Sequence, residues 1–302
     1  MPELRVTIAI CTYNRVDYLR DTLLDFKNQT ASAQQFEIII INNNSTDKTE
    51  IACSDFIEQN PELNTRLYSE IRQGLSHARN RAITESNSEW ILFIDDDVIL
   101  PEDFVQNALN FINQAEKPCA AGGKILVSFD DGEPDWIPGE LMPMFGFHDL
   151  GNDQKKYPAH NFPRGGNMLI HKTVAEKVGG FNPELGRTGE NLAGSEEKAF
   201  FDQARKQGFE LWYLADMMLY HRIGKRRLKK EYLKKQSVGI GYSEQIRLKG
   251  SSFKLLIKFL SEIAKFGISI ILSILYLLRG KIKAAKFILI FRLWVMKGLF
   301  TR

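Results

Sequence analysis

Three consecutive carboxylates, Asp95, Asp96 and Asp97, are the residues of this chain best suited to chemistry. They directly follow an apolar run, Ile91 to Ile94, that has the composition of a buried strand. Adjacent acids repel one another, and burying one of them without a partner is costly. A divalent cation removes that cost, because carboxylate oxygens suit Mg²⁺ or Mn²⁺. On its own, the pattern predicts either a metal site at a strand end or a solvated acidic loop.

Further polar motifs follow predicted strands, where open α/β sheets bind their ligands. Thr12-Tyr13-Asn14-Arg15 offers a ring and a cation, which suit either a nucleotide or ordinary surface packing. Asn42 to Asp47 offers amides that can bind a base edge, or a common turn with a helix cap. Arg164-Gly165-Gly166-Asn167 allows a close backbone approach to a ligand, although a plain turn would use the same residues.

Several titratable side chains could join these motifs. Arg79 opens a predicted helix and could reach a phosphate, although surface arginines are common. Glu190, Glu196 and Glu197 lie in or just after a Gly-rich stretch. Acids at a helix start often only complement the helix dipole, but one beside a substrate hydroxyl could act as general base. His221 follows a strand-like region, and a lone histidine is more often structural than a metal ligand.

Strand and helix signals alternate along the chain and must position these residues. We expect strands at residues 6–11, 36–41, 63–69, 89–94 and 211–215. We expect helices at residues 17–27, 46–58, 75–86, 101–114, 172–178 and 196–206. This alternation predicts a mostly parallel sheet covered by helices on both faces. Residues 129–163 are rich in Gly, Pro, Asp and aromatic residues, which predicts a long irregular segment with a function.

Length and cysteine content set broad limits. The 302 residues can form one large domain or two modest ones. Cys11, Cys53 and Cys119 are far apart and lack metal-site spacing, which argues against disulfides or zinc and fits a reducing compartment. Arg5 leads directly into a strand-like run, so we expect no signal peptide.

The net charge of +3 conceals a large asymmetry. Through His221 there are 20 basic against 34 acidic residues, a net charge of −14, whereas residues 222–302 hold 20 against 3, a net charge of +17. The basic segment is also rich in Leu, Ile and Phe. This combination indicates an anionic membrane surface as partner more than nucleic acid.

Two amphipathic helices are predicted in the C-terminal segment. Residues three or four apart form one polar stripe: Lys254, Lys258, Glu262, Lys265, Ser269 and Ser273. The longest charge-free run, residues 266–278, is shorter than a membrane span requires, and Arg279-Gly280-Lys281 interrupts the helix. We favour helices lying in a membrane interface; packing on the domain or on a second subunit is the main alternative, and a re-entrant or spanning hairpin is disfavoured.

Taken together, the motifs resemble those of family 2 glycosyltransferases with the GT-A fold. The motifs that carry the resemblance are residues 10–15, 42–47, 74–80, 95–97, 164–168, 179–181 and 195–197. The resemblance covers about residues 5 to 245 and is specific, because the motifs occur in the family's order. It implies an α/β, Rossmann-like, mostly parallel sheet flanked by helices in residues 1–245. Residues 246–302 would then be a basic amphipathic helical tail that associates with membranes.

The resemblance also implies roles for individual residues. The Asp-x-Asp motif of the family falls on Asp95 and Asp97, which with His221 would hold Mn²⁺ or Mg²⁺. The catalytic base maps onto Glu197, with Glu196 as the alternative. Nucleotide-sugar binding maps onto Thr12, Tyr13, Asn14, Arg15, Asn42, Asn44, Arg79, Asp95, Asp96, Gly166 and Asn167. Asn42 stands where the family usually has Asp, so an uncharged amide would meet the base, which is expected to be uracil.

The implied reaction is inverting, metal-dependent transfer of a sugar from a nucleotide-diphosphate donor to a hydroxyl of a glycan or lipid-linked acceptor. Such an enzyme of polysaccharide synthesis is expected in the cytoplasm, peripheral at the inner face of the cell membrane, without a nucleic-acid partner. Trp136 and Trp212 are candidate platforms for sugar stacking, with core packing as the alternative for Trp212. The rival functions are a binding protein that keeps the fold without turnover and, less favoured, a nucleotidyltransferase.

Overall fold

The structure is a computed structural model that describes residues 3–188 and 195–301. Within these ranges the chain forms nine strands and nine α-helices. The strands are β1 Val6–Thr12, β2 Phe36–Asn42, β3 Thr65–Ser69, β4 Trp90–Ile94, β5 Val98–Ile99, β6 Ala120–Phe129, β7 Lys155–Lys156, β8 Asn167–His171 and β9 Leu211–Ile223. The helices are α1 Val16–Leu24, α2 Thr49–Gln59, α3 Leu75–Glu85, α4 Phe104–Gln114, α5 Lys172–Val178, α6 Glu196–Lys206, α7 Lys230–Arg247, α8 Ser252–Leu278 and α9 Ile282–Gly298.

The strands form one mixed sheet in the order β3-β2-β1-β4-β8-β6-β9-β5, with β7 paired to β9. The first four strands are parallel, whereas β8 runs antiparallel to β4. Residues of β2 and β4 are buried on both faces, as expected of parallel strands covered on both sides. One apolar core contains residues of α1, α2 and α4, and the other contains residues of α3, α5 and α6. The GT-A-like α/β class is therefore confirmed.

The register brings the candidate residues to one edge of the sheet. In the parallel pairs, Thr12 lies opposite Asn42, and Ile10 lies opposite Ile94. The carboxyl ends of β1, β2 and β4 therefore meet at the same edge. The loops that follow these strands contain the residues singled out in the sequence.

The antiparallel half of the sheet was not predicted, and β6 shows why. Its two glycines, Gly122 and Gly123, give the segment a weak strand propensity. A Cβ added at Gly123 would lie 1.8 Å from the carbonyl oxygen of Met217, and one at Gly122 would lie 2.7 Å from Pro163. Close backbone packing therefore requires glycine here, at the expense of the β-branched pattern that marks a strand. The predicted strand at 211–215 is also too short, since β9 continues to Ile223.

Two compact units divide the chain by their internal contacts. Of the described residues, the first contains 3–126, 146–183 and 196–222, and the second contains 127–145, 184–188, 195 and 223–301. In the second unit, α9 contributes Phe287, Phe291 and Val295 to an apolar core that also includes Phe145. The sequence did not predict α7, which runs across residue 245. The division there into a catalytic part and a tail stays a prediction.

Helix α8 buries Glu262, Ser269 and Ser273 of its polar stripe and exposes its apolar side. Glu262 is 1% exposed, and Ser269 and Ser273 are also buried. The Ser273 hydroxyl donates to the carbonyl oxygen of Ala285 at 3.0 Å. The exposed side consists of Phe253, Leu256, Ile257, Leu260, Ile263, Ile268, Ile270, Ile271, Ile274, Leu275, Leu277 and Leu278. Among residues 3–188 and 195–301, no helix has both the length and the apolar character that crossing a membrane requires.

A pair of glycines allows α7 and α9 to approach closely. A Cβ added at Gly241 would lie 2.0 Å from the carbonyl oxygen of Val295, and one at Gly298 would lie 2.1 Å from that of Val238. Backbone atoms cannot move aside as a flexible side chain would, so the two helices must separate to admit even a methyl group.

We therefore expect Gly241→Ala to lower the free energy of unfolding by about 1–3 kcal/mol. Gly267→Ala is the matched control, because a Cβ at this α8 position meets nothing within 4 Å. The control should gain up to about 1 kcal/mol from helix propensity. Urea denaturation of both variants measures the difference, and equal stabilities would contradict the close α7–α9 contact.

Candidate active site

Strand β4 places Asp95, Asp96 and Asp97 at the carboxyl edge of the sheet, between parallel β1 and antiparallel β8. The strand itself is buried and apolar, so the chain emerges from the core directly into the three acids. Asp95 is half-buried, whereas Asp96 and Asp97 are 4% and 0% exposed. Buried carboxylates require cationic or hydrogen-bonding partners.

Arg15, Thr12 and His221 provide such partners. The Arg15 Nη1 atom lies 2.7 Å from Asp97 Oδ2 and 3.0 Å from Asp96 Oδ1. The Thr12 hydroxyl donates to Asp96 Oδ2 at 2.7 Å, and His221 Nε2 lies 3.3 Å from Asp97 Oδ1. The loop after β1 and the end of β9 are thus both fixed to the acidic turn.

The acidic turn retains a high affinity for positive charge despite these partners. Burial raises the pKa of Asp96 to about 6; Arg15 opposes this effect, and the negative charge of Asp97 adds to it. Arg15 is shared between Asp96 and Asp97, so one arginine faces two buried carboxylates, with the half-buried Asp95 beside them.

Asp95, Asp97 and His221 fit a divalent cation. One ligand atom from each residue lies within 4.8 Å of the others. A set of two carboxylates and one imidazole, with oxygen in the majority, suits Mn²⁺ or Mg²⁺. Glycines confine the set, because a Cβ would lie 2.8 Å from Asp95 Oδ2 at Gly166 and 2.7 Å from His221 Nδ1 at Gly146. The structure thus brings together the three predicted ligands, whose role stays a prediction.

A second charged cluster forms around Arg79 of α3. Its Nη1 atom lies 2.9 Å from Glu196 Oε1, and its Nη2 atom lies 3.2 Å from Glu197 Oε1. The side chains of Arg79 and Glu196 are buried, whereas that of Glu197 is 24% exposed. Arg79 was predicted to bind the donor diphosphate; the structure places it against the two glutamates, and its contact with a donor stays a prediction.

The Arg79 cluster contains more negative than positive charge. Burial raises the pKa of Glu197, the charge of Glu196 raises it further, and Arg79 and Arg164 oppose both effects. Burial alone would lower the pKa of Arg79, but the charges of Glu197 and Glu196 outweigh it. Glu197 is therefore an accessible carboxylate with an increased affinity for a proton, as a general base requires.

The turn Arg164–Asn167 connects the two clusters. A Cβ added at Gly165 would lie 1.9 Å from Glu197 Oε1 and 2.1 Å from Arg79 Nη2. The neighbouring Gly166 lies against Asp95 in the same way. The two glycines thus allow the backbone to approach both clusters, so that the cation site and Glu197 adjoin one short turn.

The residues predicted to contact the nucleotide lie in the loops after β1 and β2, and several hold each other. Asn14, in a left-handed conformation with φ 52°, accepts hydrogen bonds from the backbone amides of Thr46 and Asp47. The Asn42 Oδ1 atom accepts from the Ser45 amide at 3.0 Å. Asn44 is exposed and Tyr13 is half-buried. The nucleotide contacts of all these residues stay predictions.

Two asparagines have structural bonds that the sequence did not reveal. Asn43 donates to the carbonyl oxygens of Glu70 and Arg72 and accepts from the Gly74 amide, which joins the loop after β2 to the loop after β3. Its only sequence signal is its place in an asparagine triplet. Asn167 donates to the carbonyl oxygen of Met217 at 2.7 Å, and its buried Oδ1 atom has no hydrogen-bond partner among residues 3–188 and 195–301.

Other candidates lie elsewhere or have other partners. In the first unit, Trp212 bonds to Glu210 and packs beside Lys156, and in the second unit Trp136 packs edge-on against Phe287. Glu190 lies outside the described residues. Cys11, Cys53 and Cys119 are free, and burial raises the pKa of each thiol to about 12, which leaves them poor nucleophiles.

The sheet and its acidic carboxyl edge define an α/β protein of the GT-A-like class. The sequence profile of glycosyl transferase family 2 matches residues 7–179, more than half of the chain. The chain therefore belongs to glycosyl transferase family 2.

Two curated relatives support this assignment. Glycosyltransferase GlyA of Streptococcus pneumoniae is 30% identical over 149 residues, which are 49% of this chain and 19% of GlyA. The minor teichoic acid biosynthesis protein GgaB of Bacillus subtilis is 31% identical over 109 residues, 36% of this chain and 12% of GgaB. The chain thus spans less than a fifth of the length of either relative.

A solved structure shows the same fold. The mannosyltransferase PcManGT from Pyrobaculum calidifontis, determined with GDP-Man and Mn²⁺, superposes with a TM-score of 0.60. The match covers 82% of this chain and 65% of that one, at 18% sequence identity. At this identity the likeness is one of fold.

Proposed function

We propose that the protein is an inverting, metal-dependent glycosyltransferase that moves a sugar from a nucleotide-diphosphate donor to an acceptor hydroxyl. The supporting observation is that one glycine turn adjoins both a cation-binding set, Asp95, Asp97 and His221, and an accessible carboxylate, Glu197. Such a pairing supplies what sugar transfer needs: stabilisation of the leaving diphosphate and a base for the attacking hydroxyl.

Asp95, Asp97 and His221 are the residues that would hold Mn²⁺ or Mg²⁺. Bound there, the cation would neutralise negative charge on the leaving nucleoside diphosphate. Arg15 is bonded to Asp96 and Asp97 beside the same position and is partly exposed. We assign it to the diphosphate, with Thr12 and Asn42 flanking the nucleotide, and uracil as the expected base.

Glu197 would take the proton from the acceptor hydroxyl, and Glu196 would not. Glu196 is buried and bonded to Arg79, so an acceptor cannot reach it without breaking that ion pair. Glu197 is exposed enough for contact and has the raised pKa of a base. The deprotonated oxygen attacks the anomeric carbon opposite the leaving diphosphate, and a single displacement inverts the configuration.

For the acceptor, we propose a glycan or a lipid-linked intermediate presented at a membrane surface. The support comes from the second unit, where α8 exposes its apolar side over about 40 Å of helix. Exposed cations lie at its ends, Lys254 at the start and Arg279, Lys281 and Lys283 after the last turn. Glu262 is the single acid in residues 245–302.

This distribution fits an anionic lipid surface at the inner face of the cell membrane. Apolar side chains would enter the acyl region while the terminal lysines and arginines meet the headgroups. A second copy of the chain would bring like charges at the helix ends together, which disfavours it as the occupant.

We expect Glu197→Gln to lower turnover at least about a hundredfold, because the amide cannot accept the proton. Turnover is measured as release of UDP or GDP from a panel of nucleotide sugars, with a host membrane extract as acceptor source. Glu210→Gln is the matched control, since Glu210 has the same 24% exposure but pairs with Lys117 and Lys156. If Glu197→Gln binds the donor and keeps its turnover, Glu197 is not the base. If the wild type binds the donor but shows no turnover, the binding-protein alternative is favoured.

We expect the double variant Ile268→Glu, Ile271→Glu to bind vesicles of phosphatidylglycerol and phosphatidylcholine about tenfold more weakly or worse. A charge in the hydrocarbon region costs about 2.5–3.5 kcal/mol, which makes this a lower bound. Ile71→Glu is the control, because Ile71 is also exposed but belongs to the first unit. Co-sedimentation measures binding; a wild type that does not sediment, or a double variant that binds like it, would contradict the proposal.

A further inference from the structure

The two adjacent acids at the start of α6 have unequal surroundings. Glu196 and Glu197 each contact a different nitrogen of the same guanidinium, that of Arg79. Glu196 is 4% exposed and makes the shorter contact, 2.9 Å against 3.2 Å. One buried positive charge is therefore divided between two carboxylates, and the more exposed carboxylate has the longer contact.

The surroundings hold this arrangement in place. The Arg79 guanidinium lies over the ring of Phe181 at 5.3 Å from its centroid. Gly165 closes the other side, where a Cβ would lie within 2.1 Å of both Arg79 Nη2 and Glu197 Oε1. The arginine therefore cannot turn from one glutamate to the other without moving this turn or the ring.

An arginine that paired with Glu197 alone would weaken this glutamate as a general base. An arginine bound to a single carboxylate stabilises its ionised form and weakens it as a proton acceptor. A second carboxylate on the same arginine restores net negative charge to the group and strengthens the acceptor. Within the part of the chain that the structure describes, Arg164 and Asp95, which have opposite signs, are further charged groups that act on Glu197.

We propose that Glu196 is a positioning residue that takes one arm of Arg79 and so leaves Glu197 only part of a counter-charge. Glu196 then determines the strength of the base without touching the substrate. The proposed function supplies the reason for such tuning, on which the inference rests. The electrostatics of the site agree with this role, since the charge of Glu196 raises the pKa of Glu197 and that of Arg79 lowers it.

The test uses stability against pH, which needs neither donor nor acceptor. A carboxylate whose pKa is raised on folding disfavours the folded state once it ionises. The Tm of the wild type, relative to Glu197→Gln, should therefore fall as the pH rises from the ordinary glutamate pKa through the raised value. The Tm of the 302-residue chain is measured in EDTA, which removes divalent cations. The pH runs from about 4 to about 8, the range in which a glutamate with a raised pKa ionises.

In a Glu196→Gln background, the Tm with and without the further change Glu197→Gln is compared again. The fall in Tm caused by Glu197 should then occur about one pH unit lower and be smaller. In an Arg79→Gln background the fall in Tm should move to higher pH. Because the two backgrounds shift the fall in opposite directions, either one alone tests the inference if the other does not fold. Glu210→Gln is the control background and should leave the window unchanged. An unchanged window in the Glu196→Gln or Arg79→Gln protein would overturn the inference.

Failure of the inference can be told apart from failure of the proposed function. Suppose that Glu197→Gln loses turnover, but that the pH range over which Glu197 lowers the Tm is the same with and without Glu196. Only the proposed effect of Glu196 on Glu197 is then contradicted. If the window moves as expected but turnover survives in Glu197→Gln, the base assignment falls while the charge sharing stands. In an active protein, the acid limb of the pH–rate profile should move with the stability window.

Discussion

The first unit depends on one electrostatic constraint: five carboxylates, most of them buried, adjoin a single edge of the sheet. Asp95, Asp96 and Asp97 leave the core together, and Glu196 and Glu197 meet them across the glycine turn. Carboxylates removed from water must gain positive partners, or the fold loses stability. The positive partners, Arg15 and Arg79, and the imidazole of His221 come from distant parts of the chain, so satisfying the carboxylates also fixes the loops.

The same constraint explains how one edge can support two kinds of chemistry. At the acidic turn, protein cations compensate Asp96 and Asp97 only in part, which leaves a set of oxygens suited to a metal ion. Around Arg79, compensation is shared, which leaves an accessible glutamate able to take a proton. Glycines at positions 165 and 166 keep the two environments close while excluding any side chain between them.

The sequence predicts the parallel half of the sheet well, because β1, β2 and β4 are continuous apolar runs ending in polar motifs. The prediction fails where close packing requires glycine, as in β6, where Gly123 admits the backbone of β9. The sequence also singles out the acids that the structure places at one edge, but it cannot show that Arg79 divides its charge between two of them. In α8 the polar stripe is visible in the sequence, whereas its inward direction depends on partners in α9 such as Arg292.

The central claim is that Asp95, Asp97 and His221 form, with a cation, the diphosphate side of a donor site. The most direct measurement is the thermal stability of the full chain with UDP, GDP, CDP and dTDP, each with and without Mn²⁺. We expect one nucleotide to raise the Tm only when Mn²⁺ is present, and Asp97→Asn to abolish the rise. A nucleotide that stabilises the protein equally without Mn²⁺, or a rise that survives in Asp97→Asn, would contradict this role of the three residues.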